Sequence, residues 1–174
     1  MQVNKTRLIT YCAVFIAIAV VAKSFLGIPV TFAGVYAKSI SIAPVVVMLA
    51  GIIVGPLYGG IVGAITDVIC FVINPMGAYF PGYTLTMALY GVIPGVMIKD
   101  KITFLRVLIT AVVTQIVCSA FLNTYWMNMV TGLTWEVLSV RLVGSFVSVP
   151  VYVAALYLLT KLQKKSRKAA FAGI

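Results

Sequence analysis

The stretch KSISIAPVVVMLAGIIVGPLYGGIVGAITDVICFVI, residues 38–73, decides the fold of this chain. It contains two apolar runs of helical length, 38–54 and 57–73, which are separated only by Gly55-Pro56. Proline cannot continue a helix and glycine commonly ends one, so this pair predicts a tight turn between two helices. A helix of about 20 apolar residues crosses the hydrocarbon core of a bilayer. The stretch therefore predicts two consecutive membrane spans.

The remainder of the chain has the same character. Of its 174 residues, 63% are hydrophobic and 9% are charged, whereas soluble domains are about 45–50% apolar and about 25% charged. This composition excludes a water-soluble globular domain, a disordered chain and a disulfide scaffold. We expect an all-α membrane protein, a six-transmembrane-helix bundle forming a single integral membrane domain over residues 1–174. The helices are predicted at about residues 7–26, 38–54, 57–73, 82–98, 103–125 and 135–162. Residues 30–37 are predicted to form an extended loop, and residues 127–134 another loop.

The charges predict the orientation of the bundle. There are 13 Lys and Arg residues against 3 Asp and Glu residues. With both termini inside the cell, Lys23, Lys38 and Arg141 lie on the outer side and the other ten cations lie at cytoplasmic ends. Basic residues accumulate on the cytoplasmic side of membrane proteins. The sequence therefore predicts a multi-pass protein with its N- and C-termini in the cytoplasm, and the net charge of +10 does not indicate a nucleic-acid partner.

Several classes of chemistry lack the residues they need. The sequence contains no His and no P-loop motif for a nucleotide, and its three Cys residues are scattered through apolar runs. Its only acids are Asp67, Asp100 and Glu136, and Asp100 is predicted on the cytoplasmic side. We therefore expect no catalytic residues, no metal site and no cofactor. A standalone small membrane channel stays open as an alternative, although the predicted helices are polar mainly in their outer halves.

Polar residues in the outer half of the bundle indicate a pocket. Asp67 lies about two turns from the outer end of helix 3, and charges within a bilayer usually mark function. Lys38 opens helix 2, Arg141 lies in the outer part of helix 6, and Asn123 lies near the outer end of helix 5. These groups are predicted to converge in one outward-facing site. The alternative is a purely structural ion pair between Asp67 and Lys38 or Arg141.

Aromatic residues surround the same predicted site. Tyr36 follows helix 1, Tyr79 and Phe80 precede helix 4, and Trp126 follows helix 5. Such side chains are typical of small-molecule sites, where they stack on flat rings. The alternative is an interfacial aromatic belt.

Two series of small residues predict close helix contacts. Thr6, Thr10, Ala13 and Ala17 share one face of helix 1, and in lipid such faces let helices approach closely. This face either packs inside the bundle or docks on another protein.

Glycines at positions 51, 55, 59 and 63 form the second series. They predict close packing of helices 2 and 3 around their turn.

Asp67 and the run NPMGAYFPGYTL, residues 74–85, resemble the helix 3–loop–helix 4 region of S components of energy-coupling-factor (ECF) vitamin transporters. The resemblance extends over nearly the whole chain and is greatest to the folate-specific members. It includes the small-residue face of helix 1, the Gly-Pro turn, the run NTYW at 123–126, and Arg141 ahead of Pro150. The run at 74–85 also resembles that of members that bind hydroxymethylpyrimidine or pyridoxine-type vitamins, so these ligands remain alternatives to folate.

The resemblance implies a substrate-binding domain in a bacterial cell membrane. It would bind folate or a related pterin outside and dock on a membrane T subunit with two ATPases. Asp67 would accept hydrogen bonds from the pterin, and Asn123 would complete the polar edge. Lys38 and Arg141 would attract the anionic end of folate or keep Asp67 ionised. The aromatic contacts would come from Tyr36, Tyr79, Phe80 and Trp126, and the docking contacts from Ala13 and Ala17.

Overall fold

A computed structural model of the chain describes residues 5–25, 28–32, 35–75, 79–98, 103–132 and 149–158. Within these residues the fold consists of six helices and one β-hairpin. The helices are α1 (Lys5–Phe25), α2 (Ala43–Val54), α3 (Pro56–Ile73), α4 (Pro81–Met97), α5 (three consecutive stretches, Phe104–Thr114, Gln115–Leu122 and Asn123–Thr131) and α6 (Val149–Leu158). The hairpin consists of β1 (Ile28–Phe32) and β2 (Val35–Ile40).

The hairpin replaces the predicted extended loop and shortens α2. Strands β1 and β2 pair in antiparallel fashion, with Lys38 opposite Val30 and a register irregularity after Val30. The prediction that α2 begins at Lys38 is therefore wrong, because this residue lies in β2. The helix begins at Ala43 instead, with a proline in its first turn, where the missing N–H of proline costs nothing. The Ser41 hydroxyl accepts a hydrogen bond from the Ala43 N–H at 3.0 Å.

Helix α5 extends beyond its predicted end at Tyr125. It continues to Thr131 and ends at Gly132, which adopts the left-handed conformation (φ 60°) and donates its N–H to the Asn128 carbonyl at 2.8 Å. Glycine is the residue that most readily caps a helix in this way, so the predicted loop at 127–134 is helical through residue 131. The middle stretch of α5, Gln115–Leu122, is a π-helix, which the sequence pattern did not indicate.

The core is centred on α2, which is buried over most of its length. Val45, Val47 and Met48 have no exposed surface and pack in one cluster with residues of α4, α5 and α6. The Tyr152 hydroxyl of α6 donates to the Ser41 carbonyl at 3.0 Å. A helix that is apolar all round suits such a central position.

Glycines bring α2, α3 and α4 into backbone contact. A Cβ atom on Gly59 of α3 would lie 2.8 Å from the Gly51 nitrogen of α2, and one on Gly91 of α4 would meet the Gly59 carbonyl group. The predicted close packing of α2 and α3 is therefore present, with α4 as a third partner. Gly55 has a different role, because it has φ 108° in the turn and nothing within 4 Å of its Cβ position.

Three of the described helices are long and apolar enough to cross a membrane by length and composition, and they are α1 (Thr6–Ser24), α3 (Pro56–Ile73) and α5 (Phe104–Val130). Helix α1 packs against α2 and α3 through a face that buries Ala19 and Ala22. Its small-residue face, formed by Thr6, Thr10, Ala13 and Ala17, is exposed on the other side. This face is therefore not used for packing within the described part of the bundle.

Candidate functional site

Four helices bring polar and aromatic side chains together at one end of the bundle, which we call the site end. The C-terminal parts of α1, α3 and α5 lie beside the start of α4. Lys23, Asp67, Thr84 and Trp126 come from these four helices in turn. The site therefore combines side chains from distant parts of the sequence.

Asp67 of α3 forms an ion pair with Lys23 of α1. The Lys23 Nζ atom lies 2.7 Å from Asp67 Oδ1. The Asp67 side chain is 10% exposed, whereas the Lys23 side chain is 34% exposed. The carboxylate is therefore the more buried partner, and the ammonium group reaches it from the more open side. Both predicted partners of Asp67 in a structural ion pair, Lys38 and Arg141, have side chains outside the described residues.

A second set of hydrogen bonds holds the other carboxylate oxygen. The Thr84 hydroxyl of α4 donates to Asp67 Oδ2 at 3.0 Å, and Tyr79 Oη lies 2.8 Å from Thr84 Oγ1. A hydroxyl group has one hydrogen to donate, so the Tyr79 hydroxyl is the donor in the latter pair. The Tyr79 ring also packs against Phe71 of α3, with ring centroids 5.1 Å apart. These contacts fix the segment that enters α4 against α3.

An aromatic cluster lies beside this polar group. The Phe80 ring packs against Trp126 at 5.4 Å and against Tyr83 at 6.1 Å, both centroid to centroid. Tyr125 packs edge-on against Trp126 at 5.2 Å. Gly82 makes room for the cluster, because a Cβ atom there would lie 2.7 Å from the Trp126 ring. The cluster therefore offers ring surfaces at the site end.

Two features of the site suit a ligand with hydrogen-bonding edges. Each oxygen of a carboxylate accepts about two hydrogen bonds, and Lys23 and Thr84 each use one position on a different oxygen of Asp67. Within the described part of the chain, one acceptor position therefore stays on each oxygen. The buried Trp126 indole nitrogen has no hydrogen-bond partner within the described part of the chain, so it can donate to an acceptor.

The structure brings together four of the residues that the sequence predicted for the site, in two contacting groups. Asp67 is joined to Tyr79 through Thr84, and Phe80 contacts Trp126. Asn123 is half-buried on α5, one turn before Trp126.

The side chains of three predicted site residues lie outside the described part of the chain. The backbone of Tyr36 and Lys38 lies in β2, while their side chains lie outside the described residues. Arg141 lies outside them altogether. Among the residues that are described, no group of three or more His, Cys, Asp or Glu side chains forms a metal site.

The sequence prediction missed Lys23 and Thr84 as site residues. Lys23 was placed on the correct side of the membrane relative to Asp67, but was not assigned to the site. Its signal was present, because a lone cation in the last turn of an apolar helix needs a partner of opposite charge in lipid. Thr84 carried a weaker signal, since a threonine in the first turn of a helix has many possible partners.

Comparisons with known proteins agree with this architecture. A family model described as "ECF-type riboflavin transporter, S component" matches residues 3–165. The chain belongs to the ECF-type transporter S components. An S component is a membrane-embedded subunit of a transporter and not an enzyme.

Two relatives of this S component are named for folate. One is the folate transporter FolT of Clostridium novyi (strain NT), which is 33% identical over 156 residues that cover 88% of each chain. The other is a crystal structure of FolT bound with folic acid, with a TM-score of 0.77 and 29% identity. The match covers 87% of this chain and 90% of that one. The six-helix fold expected from the sequence is therefore the fold of a solved member of the family.

Proposed function

We propose that this S component binds folate at the site end and serves a bacterial ECF importer. The observation that carries the proposal is the Asp67 carboxylate, which is held by Lys23 and Thr84 and retains one acceptor position on each oxygen among the described residues. The pterin ring of folate presents an amide N–H next to an amino group, so two neighbouring donors face in one direction. A carboxylate takes such paired donors strongly.

The aromatic cluster supports the same ligand. Phe80 and Trp126 offer ring faces next to the polar group, and aromatic contacts add about 0.5–1.5 kcal/mol each beyond the burial of apolar area. The Trp126 indole N–H, which has no partner among the described residues, matches the acceptor atoms of the ring. Four further ligand contacts are proposed, from Asn123, Tyr36, Lys38 and Arg141. The two cations among them would face the glutamate carboxylates of folate or Asp67.

Riboflavin is the second candidate, because the matching family model carries its name. Its isoalloxazine ring presents one N–H between two carbonyl oxygens. These oxygens would face the oxygens of Asp67, and two acceptors that face each other form no hydrogen bond. Folate therefore suits the site better, and the two relatives named for folate support this choice. Hydroxymethylpyrimidine and pyridoxine are smaller and lack the acidic tail that additional cations would serve.

The decisive experiment is a ligand screen on the purified full-length chain. We expect folate to bind with nanomolar-class affinity and to quench tryptophan fluorescence, because Trp126 lies in the aromatic cluster. Riboflavin, pyridoxine and hydroxymethylpyrimidine are expected to compete only weakly. Tight binding of riboflavin with none of folate would transfer the proposal to the second candidate. Solute flux through the chain alone, in liposomes, would favour a channel over both.

Delivery of the vitamin requires partners, since no nucleotide motif occurs in the sequence. We propose that the exposed small-residue face of α1, centred on Ala13 and Ala17, docks on a membrane T subunit that carries two ATPases. Small residues in lipid permit close backbone approach to another helix. In this arrangement both termini lie in the cytoplasm and the site end faces outward in the bacterial cell membrane, as the distribution of basic residues favours.

The docking face can be separated from folate binding by bulky substitutions. Ala13→Trp and Ala17→Trp are expected to reduce ATP-dependent folate uptake to background while leaving folate affinity within about twofold, because both positions are exposed on α1. Uptake is measured in cells or proteoliposomes that contain the T subunit and ATPases. The matched control is Ile18→Trp, at a position that is 49% exposed and turned about 100° from Ala17. Equal loss of uptake in all three variants would contradict a specific docking face.

A further inference from the structure

Lys23, like Thr84, is a described residue that neither the sequence pattern nor the family resemblance assigned to the site. Its Nζ atom lies 2.7 Å from Asp67 Oδ1, so the last turn of α1 is tied to α3 at the site end. Thr84 of α4 holds the other oxygen at 3.0 Å. The carboxylate is thus fixed from two sides, by one charged donor and one neutral donor.

We infer that Lys23 is a positioning residue for the ligand, which orients the Asp67 carboxylate so that the acceptor positions left open by Lys23 and Thr84 face the two donors of the pterin edge. This inference rests on the proposed folate-binding function and adds a residue to it. Lys23 acts through Asp67 and does not itself bind the pterin.

The physical reason lies in the surroundings of Asp67. Its side chain is 10% exposed and stands within a membrane helix, where an unpaired charge is costly. Without Lys23 the carboxylate keeps only the Thr84 hydrogen bond among its described partners, so its side chain can turn toward another donor. Its acceptor positions then no longer face the donors of the ligand, and the paired recognition is lost.

Other charged groups in the described part of the chain do not replace Lys23. The other cations with described side chains are Arg7 and Arg106, which are exposed near the opposite ends of α1 and α5. Arg7 precedes Lys23 by 16 positions on one continuous helix, a distance of about 24 Å at 1.5 Å per residue. It is therefore the matched control for loss of a cation from α1.

The test uses the purified full-length chain and measures folate affinity by fluorescence titration, with the melting temperature of the ligand-free protein as a check of folding. Lys23→Met is expected to weaken folate binding at least tenfold. Lys23→Arg, which keeps the charge, is expected to stay within about threefold of the parent chain. Arg7→Met is expected to bind as the parent does. If Lys23→Met does not fold, Lys23→Gln takes its place, because its amide retains a donor and lacks the charge.

A double variant distinguishes action through Asp67 from direct contact with the ligand. In an Asp67→Asn background, Lys23→Met is expected to cause no further loss of affinity, since the group that Lys23 positions is already neutral. A Lys23→Met chain that binds like the parent would overturn the inference. An equal further loss in the Asp67→Asn background would also overturn it and would indicate direct binding of Lys23 to the anionic end. In both cases folate binding by the parent chain leaves the proposed function intact, whereas a parent chain that binds no folate removes the proposed function itself.

Discussion

Asp67→Asn is expected to weaken folate binding at least tenfold, which corresponds to about 1.4 kcal/mol. The substitution keeps the size of the side chain but replaces one acceptor oxygen by an NH₂ group, which would point a donor at a donor of the pterin. It also leaves Lys23 without the partner that now lies 2.7 Å away. Affinity is measured by tryptophan fluorescence quenching or calorimetry on the purified chain.

Thr84→Val is the matched control for Asp67→Asn. It removes the hydroxyl that donates to Asp67 Oδ2 but leaves the carboxylate and the Lys23 contact in place. We expect a smaller loss of affinity than in Asp67→Asn, since both carboxylate oxygens stay available as acceptors for the ligand. Unchanged folate binding in Asp67→Asn would show that the ligand site has been placed wrongly.

Gly91→Ala is expected to cause a large loss of stability. A Cβ atom at Gly91 would collide with the Gly59 carbonyl group, and no side-chain rotation relieves a collision with backbone. Helices α3 and α4 would have to separate at the point where Gly51 of α2 also meets them. Overpacking of this kind costs about 1–3 kcal/mol and occasionally more, so we expect a clearly lowered melting temperature or no folded protein after extraction.

Gly60→Ala is the control for this prediction, because Gly60 is also buried in a helix. A Cβ atom there would lie 2.8 Å from a methyl group of Val92 and 3.6 Å from the Ala88 carbonyl oxygen. A side-chain methyl moves more easily than backbone, and alanine favours a helix by about 1 kcal/mol over glycine. We expect a change within about 1 kcal/mol. Equal destabilisation by the two substitutions would contradict the specific role of the glycine junction.

The helical part of the fold could be predicted because bilayer thickness and apolar composition leave few alternatives. The turn at Gly55-Pro56 is predictable because it depends only on these two residues. The predicted start of α2 and the predicted end of α5 are wrong, although each true boundary has a local sequence signal. Pro44 pointed to a helix beginning near Ala43, and Gly132 pointed to the end of α5. The π-helical stretch of α5 depends on packing and has no comparable local signal.

The sequence singled out Asp67 as a candidate site residue, whereas the side chains that contact it could not be predicted. Asp67 stood out because an acid within an apolar helix is rare and costly. Its partners Lys23 and Thr84 depend on how α1 and α4 are rotated against α3, and a one-residue change of register would turn each by about 100°. The glycines on α4 that complete the contact with α2 and α3 depend on the same register. The spacing of residues within one helix does not show how that helix is rotated against its neighbours.

In the proposed complex, the acceptor positions that Lys23 and Thr84 leave open on Asp67 take the two donors of the pterin edge. The most direct measurement compares folate with an analogue that lacks the 2-amino group, on both the parent chain and Asp67→Asn. We expect the parent chain to prefer folate over the analogue at least tenfold, and Asp67→Asn to have lost most of this preference. An equal preference in the two proteins would contradict the claim, because the amino group would then be recognised elsewhere.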